Sequence, residues 1–264
     1  KGSLGSSVHE PCAEPDYDTV IVGAGLAGST TATALVTRGQ KVLVIEKQSQ
    51  PGQGGSGNPQ GALYNKFSSD FNAQTEYALS NLLFSQSYYQ RAQNLSDTTF
   101  WNPCGLIQVA WNGKEGSKQA DFLSKNHYPD ELFTPVNAEQ ASELAGVSLS
   151  QGGLYFKHSG WVAPQILCTK LLKNSKIKTL YNTKVSSFSQ DPTTSIWTLK
   201  DNNGNTLSTT RNIVVCSASD TKQFEQLNHL RTKPIRGQVS IVSSKVDYPL
   251  KTVLCGEGYI SPQH

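Results

Sequence analysis

The sequence predicts an α/β fold in which one βαβ unit is interleaved along the chain with a second, sheet-rich region. Two observations carry this. The first is Gly23-Ala24-Gly25-Leu26-Ala27-Gly28, set between the apolar run Thr19-Val20-Ile21-Val22 and a helix-compatible stretch from Ser29 to Arg38. A second apolar run, Lys41-Val42-Leu43-Val44-Ile45, ends in Glu46. Strand, glycine turn, helix, strand and acid in that order make a Rossmann-like dinucleotide unit. Glycines permit the tight turn, the close approach to a pyrophosphate and the packing of helix on strand. The helix N-terminus offers unpaired N–H groups and a positive dipole end to the phosphates. Glu46, 18 residues after Gly28, stands where an acid accepts ribose hydroxyls. A glycine-rich turn in an ordinary βαβ unit would explain the turn but not the acid.

The second observation is Ile213-Val214-Val215-Cys216, a continuous apolar run followed by Ser217-Ala218-Ser219. Such a run suits a central parallel strand buried on both faces. It returns after a long interval without regular βα units. A nicotinamide-dinucleotide domain would have continued with such units after Glu46, so the discontinuous layout favours FAD over NAD.

The intervening elements follow in order. Gln50 to Gly61 is a loop rich in glycine and proline, with little side-chain bulk to keep it from a flat ligand. Asn72 to Asn94 has helical spacing, with Tyr77, Leu79, Leu82, Leu83, Phe84, Tyr88 and Tyr89. Gly105 to Val109 reads as a strand. Val136 to Ala145 reads as a short helix, with Asn137 as N-cap and Gln140 three residues on. Gly153 to Phe156 is strand-like, and Pro164 opens a helix over Gln165 to Lys173. Lys178 to Tyr181, Lys184 to Phe188, Ser195 to Lys200 and Arg211 to Ser217 are candidate strands, with a hairpin signal at Asp201-Asn202-Asn203-Gly204. Pro234 to Val242 and Thr252 to Ile260 resume strand character.

Bulk composition narrows the class further. The 264 residues carry 23 basic and 20 acidic side chains, a net charge of +3, and are 36% hydrophobic. That suffices for one large α/β domain or two intertwined ones. It neither requires nor excludes a polyanionic partner. Lys170 to Lys178 and Arg231 to Arg236 are the most basic stretches, as solvated surface or as nucleic-acid contact. Cys12, Cys104, Cys168, Cys216 and Cys255 are widely spaced and form no C-x-x-C pair, which argues for reduced thiols in a cytoplasmic protein and against a metal site. No run of 18 apolar residues marks a membrane span. Lys1 to Pro15 is polar and reads as a linker or cloning remnant.

These residues resemble the glycine oxidase and D-amino-acid oxidase group of FAD enzymes. A more specific resemblance lies in Ser56-Gly57-Asn58-Pro59-Gln60-Gly61-Ala62-Leu63-Tyr64, Gly152-Gly153-Leu154-Tyr155-Phe156, Gly160-Trp161-Val162-Ala163-Pro164, Arg236-Gly237-Gln238-Val239-Ser240 and Thr252-Val253-Leu254-Cys255-Gly256. Together they are similar to the FAD-dependent half of the bacterial bifunctional enzymes of 5-methylaminomethyl-2-thiouridine biosynthesis in tRNA, from about Tyr17 to His264. The resemblance implies a D-amino-acid-oxidase-like fold: a Rossmann-like FAD-binding domain over 17–98 and 159–222, intertwined with an antiparallel-sheet substrate domain over 99–158 and 223–264, after a linker over 1–16. It also implies further flavin and substrate walls beyond His264, and a preceding methyltransferase half that uses S-adenosylmethionine.

The implied reaction removes the carboxymethyl group from 5-carboxymethylaminomethyl-2-thiouridine at the tRNA wobble position. A hydride leaves the CH₂ for FAD, and water hydrolyses the imine to glyoxylate and the aminomethyl base, with dioxygen as final acceptor. Two other readings stay open: a small-molecule amine oxidase acting on glycine, sarcosine or a D-amino acid, and a non-catalytic FAD-containing module.

Residue roles follow in the same terms. Gly23, Gly25 and Gly28 line the pyrophosphate and Glu46 binds the adenosine ribose. Lys47 points at the adenine end or is a surface lysine. Ser56, Gly57, Asn58, Gln60 and Gly61 border the pyrophosphate, ribityl chain or flavin. Val185 offers backbone contacts to adenine or is a core valine. Ser217 and Ala218 approach FAD or simply end a strand. Arg236 meets the substrate carboxylate, which its planar fork fits, or forms a surface ion pair. Tyr259 faces the substrate or sits in the core. His158 and Trp161 read as structural.

Overall fold

The computed structural model describes residues 14–243 and 249–264. Most of the expected linker, with Cys12, therefore lies outside the described residues. Among the described residues the elements run β1 (Tyr17–Val22), α1 (Leu26–Thr37), β2 (Val42–Ile45), β3 (Gly61–Leu63), α2 (Ala73–Asn94), β4 (Trp101–Asn102), β5 (Leu106–Val109) and α3 (Gly113–Lys125). They continue with β6 (Thr134–Val136), α4 (Ala138–Ala145), β7 (Gly153–Phe156), β8 (Gly160–Val162), α5 (Pro164–Leu172) and β9 (Ile177–Leu180). The last are β10 (Ser187–Gln190), β11 (Trp197–Lys200), β12 (Thr206–Val215), β13 (Val253–Cys255) and β14 (Tyr259–Ile260).

The chain divides into two units, each built from two separate segments: 1–57 with 165–237, and 58–164 with 238–264. These bounds differ from those expected. Residues 58–98 and 159–164 pack with the second unit, not the first, because β3, β4 and β8 form a sheet of their own. Residues 223–237 pack with the first, where Phe224 is buried against Phe188 with ring centroids 4.8 Å apart.

In the first unit six strands lie in the order β10-β11-β12-β1-β2-β9. β12, β1, β2 and β9 are parallel, and β10 and β11 add an antiparallel edge. Val20, Ile21, Val42 and Val44 have no exposed surface, as expected where both faces of a parallel sheet are covered. One face carries Val20, Val22, Leu43, Ile45, Val185 and Phe188; the other carries Ile21, Val42, Val44 and the α1 residues Ala32 and Val36. This alternation is the period of two that a strand imposes.

The second unit holds a five-stranded sheet, β14-β13-β5-β7-β6, and a three-stranded sheet, β3-β8-β4. The larger sheet is mixed, not wholly antiparallel, because β13 runs parallel to β5. An aromatic cluster fills the core: Phe122 to Phe133 is 5.6 Å and Phe133 to Phe156 is 5.4 Å between centroids. α4 has the expected capping box, with Asn137 and Gln140 each accepting the other's backbone N–H at 2.9 Å.

Several local expectations need correction. Residues 234–242 form no strand; the whole stretch 231–243 lacks regular structure and is exposed. Lys184 and Val185 precede β10 instead of belonging to it. The run Thr252 to Ile260 is broken by a turn at Gly256 to Gly258 into β13 and β14. α3 was not anticipated.

Packing of α1 on β1 sets a strict size limit. A Cβ at Gly28 would lie 1.9 Å from the Gly23 carbonyl oxygen, far inside contact distance. Gly39 has positive φ but nothing within 4 Å of its would-be Cβ. Gly28→Ala should therefore cost at least about 3 kcal/mol through overpacking, whereas Gly39→Ala should cost about 1–2 kcal/mol of backbone strain. Denaturant unfolding of the two variants checks the order, and equal losses would mean that the α1 contact relaxes freely.

Candidate functional site

The carboxyl ends of β1, β2 and β12 surround a cleft of about 240 Å³ in the first unit. The chain leaves β1 toward β2 on one side and returns through β12 on the other, so this is a topological switch point, where open α/β sheets bind ligands. The volume lies below the roughly 300–1,000 Å³ of whole small-molecule pockets, a size for part of a large cofactor.

Three backbone features shape the cleft. Gly23 has φ of +108°, and a Cβ there would lie 2.6 Å from the Cys216 carbonyl oxygen, so the end of β12 passes directly over the turn. Gly25 caps α1 and would place a Cβ 3.1 Å from Ser56 Oγ. The Leu26 N–H donates to that same Ser56 Oγ at 3.0 Å. Ser56 thus stands in for the N-cap side chain that glycine lacks.

α1 differs electrostatically from α2, α3 and α4, although α5 likewise has no acid in its first turn. α2, α3 and α4 each begin with an Asn N-cap and carry an acid, Glu76, Glu115 or Glu139, in the first turn. α1 has neither. Its dipole is left without an internal counter-charge where an anion can use it.

Glu46, 9% exposed, closes the cleft at the end of β2. Its Oε2 accepts the Ala24 N–H at 2.7 Å and its Oε1 accepts the Gln48 N–H at 2.9 Å. A carboxylate has about four lone-pair sites, so each oxygen keeps one for a ribose hydroxyl.

Of the residues expected at a cofactor, Gly23, Gly25, Glu46 and Ser56 line this cleft, as do Lys47, Val185, Ser217 and Ala218. Gly28 does not; it works beneath, holding α1 against β1. Lys47 lines the cleft and pairs with Asp220, also at the cleft, in an exposed ion pair. Val185 is 2% exposed and packs in the core while also lining the cleft. Ser217 precedes a 3₁₀ turn over Ala218–Gln223, and its hydroxyl lies 3.1 Å from that of Thr221. Gly57 closes the Gly55–Gly57 turn, where a Cβ would lie 3.2 Å from the Gly52 carbonyl. Asp220 and Gly52 escaped the sequence reading as site residues. Gly52 had a signal, since only glycine readily takes its φ of +72° where a Cβ would meet Gln165 at 2.9 Å. Asp220 had none beyond following the small residues after β12.

In the second unit Asn58, Gln60 and Tyr259 come together. Asn58 Nδ2 donates to the Tyr259 hydroxyl, and that hydroxyl donates to the Gln60 carbonyl at 2.8 Å. Gly61 opens β3 beside them. Tyr259 is 36% exposed, so it is not a core tyrosine. Two nearby groups are uncharged at neutral pH: burial pushes the Cys255 thiol up to about 12, and burial, then Cys255 and Tyr259, raises Tyr64. Trp161 is core, at 1% exposure, with the His264 ring tilted against it at 4.7 Å between centroids; His158 is exposed in a turn. Arg236 is exposed within the irregular stretch of the first unit.

Residues 18–264 match the family described as FAD dependent oxidoreductase. The chain belongs to that family. It is an enzyme, an FAD-dependent oxidoreductase, and the cleft has the glycines, open helix terminus and acid that an adenosine diphosphate moiety needs. The tRNA 5-methylaminomethyl-2-thiouridine biosynthesis bifunctional protein MnmC of Hahella chejuensis is 37% identical over 259 residues, 96% of this chain and 41% of the relative. Its counterpart in Chromobacterium violaceum is 38% identical over 248 residues, 94% of this chain and 37% of the relative. The chain thus spans about two-fifths of these relatives. In fold it is similar to glycine oxidase from Bacillus cereus, with TM-score 0.77 at 22% identity over 94% of this chain and 68% of that one. The FAD-bound L-alpha-glycerophosphate oxidase of Mycoplasma pneumoniae gives 0.61 at 20% over 75% and 53%. Among the described residues no helix is long and apolar enough to cross a membrane, and no group of three His, Cys, Asp or Glu can hold a metal.

Glu46→Gln keeps the shape of the side chain but turns an NH₂ toward one of the two backbone N–H groups. One buried donor then loses its acceptor, at about 1–3 kcal/mol. Urea unfolding of the cofactor-free protein should show that loss, and an unchanged midpoint would mean that the two hydrogen bonds contribute nothing.

Proposed function

We propose that this chain is the oxidative part of a tRNA-modifying enzyme. It would remove the carboxymethyl group from 5-carboxymethylaminomethyl-2-thiouridine at the wobble position and leave 5-aminomethyl-2-thiouridine. The observation that carries this is the 37–38% identity, over nearly the whole chain, to proteins named for that biosynthesis. The longer protein would also carry a methyltransferase part using S-adenosylmethionine, and would act in the cytoplasm, where its tRNA substrate is made.

Gly23, Gly25, Glu46 and Ser56 are assigned to the adenosine and pyrophosphate, with α1 directed at the phosphates. Lys47, held by Asp220, Val185, Ser217 and Ala218 form the remaining wall, and Gly28 supports it. Gly57, Asn58, Gln60 and Gly61 are assigned to the ribityl and flavin side. Bound FAD supplies the hydride acceptor for oxidation of the substrate CH₂. The substrate amine must be neutral to give up that hydride; it then loses its N–H proton, and water adds to the imine carbon. The C–N bond breaks, releasing glyoxylate and the free aminomethyl base. Arg236 is the candidate for the substrate carboxylate because its guanidinium offers two parallel donors.

Mass spectrometry of wobble nucleosides tests the substrate. Full-length protein incubated with tRNA bearing the carboxymethylaminomethyl group should convert it to the aminomethyl form, or onward to the methylated form when S-adenosylmethionine is present. Turnover of glycine, sarcosine or D-amino acids with no change in the tRNA would instead establish a small-molecule oxidase. Gly25→Val should lower the flavin content of the purified protein. Arg236→Lys should leave flavin content intact and raise KM about 10-fold or more, from loss of roughly 1.5–3 kcal/mol of charge-assisted contact. Unchanged kinetics would return Arg236 to the surface.

A further inference from the structure

The second unit contains a hydrogen-bonded clasp that the proposed reaction does not require. Three bonds join residues 58–60 to residues 259–262, and a fourth braces the 58–60 turn internally. Asn58 Nδ2 donates to the Tyr259 hydroxyl, and that hydroxyl donates to the Gln60 carbonyl at 2.8 Å. Gln60 N–H donates back to Asn58 Oδ1 at 3.1 Å, and Gln60 Nε2 donates to the Pro262 carbonyl at 3.0 Å. The two segments are separated by about 200 residues in sequence, so local chain geometry does not hold them together.

Tyr259 is itself anchored. It pairs with Cys255 across β13 and β14, and Cys255 pairs with Gln108 of β5. Its hydroxyl therefore ties the turn before β3 to the edge of the five-stranded sheet. A phenol has one proton, and here the Gln60 carbonyl takes it. No donor is left for a substrate carboxylate.

We propose that Tyr259 is a positioning residue that fixes the Asn58–Gly61 turn against the flavin, and not a residue that binds substrate. This rests on the reading that the turn borders the flavin. The side chain is 36% exposed, so water competes for these bonds and the clasp acts by holding a shape, with modest stabilising energy.

The test uses full-length protein with Tyr259→Phe, Asn58→Ala and the double substitution. FAD affinity is measured by titrating the cofactor-free protein, hydrogen exchange is followed across 58–62, and KM is measured with carboxymethylaminomethyl tRNA. Tyr259→Phe keeps the ring and should weaken FAD binding about tenfold, equivalent to about 1.4 kcal/mol. Exchange across 58–62 in the cofactor-free protein should quicken by a similar factor, with KM unchanged. The double variant should lose less than the sum of the two single losses, since the Asn58–Tyr259 bond is removed by both while each also removes one bond of its own. A tenfold rise in KM with FAD affinity and exchange unchanged would overturn the proposal and make Tyr259 a substrate residue. Additive losses would overturn it by showing that Asn58 and Tyr259 act separately. Faster exchange with unchanged FAD affinity would leave the clasp but remove the turn from the flavin, overturning the reading on which the proposal rests.

Discussion

Close approach of the first helix to the first strand governs the architecture of the cleft. With hydrogen alone at Gly28, α1 sits on the carbonyl of Gly23, and with hydrogen alone at Gly23 the end of β12 crosses above the same turn. Three chain segments thereby meet within a few ångströms, and the peptide groups of the turn become the floor of a cavity. Any side chain larger than hydrogen would separate them. The helix that starts there has neither an Asn cap nor a first-turn acid, and its leading amide is held instead by Ser56 from another loop. Steric closeness and an unneutralised dipole end are thus arranged at one point. That combination presents backbone N–H groups and the positive end of a helix dipole at one point, which suits an anion.

The βαβ unit was legible because each of its parts has a local cause. Gly23 to Gly28 specify the turn, the apolar runs specify two strands, and Glu46 ends the second; the structure places β1, α1 and β2 within a few residues of those readings. Asn137 and Gln140 likewise fixed the start of α4 by capping chemistry confined to four residues. What escaped depends on distant partners. α3 buries only Phe122 and contains Gly113 and Gly116, so few apolar residues and two helix-disfavouring ones hid a helix that is amphipathic. Residues 234–242 have the alternation of a strand, yet a strand needs a neighbour, and the described residues give them none. The line between the two units was misplaced for the same reason: β3, β4 and β8 are each two or three residues long and are defined by pairing with one another.

The site divides along similar lines. Glycines, acid and small-residue loop were readable one at a time, and the structure gathers eight of the expected cofactor residues around one cleft. Partnerships between side chains were not readable. Lys47 gained its meaning from Asp220, and Tyr259 from Asn58 and Gln60, each pairing spanning more than 170 residues. Similarity to glycine oxidases at 22% identity or less establishes the scaffold, while the chemistry rests on what individual side chains touch.

The interleaved path has a consequence for how the protein is made. β1 is a central strand, yet its partner β12 lies far along the chain, with Tyr17 opposite Thr210. At roughly 5–20 residues per second a ribosome needs on the order of 10–40 seconds to deliver that partner. Throughout that interval β1 can pair with β2 on one side only. Its other edge, carrying Val20, Ile21 and Val22, is an open template for any strand nearby. The nascent chain thus depends on the second unit, whose 58–164 segment is synthesised meanwhile, emerging without capturing that edge.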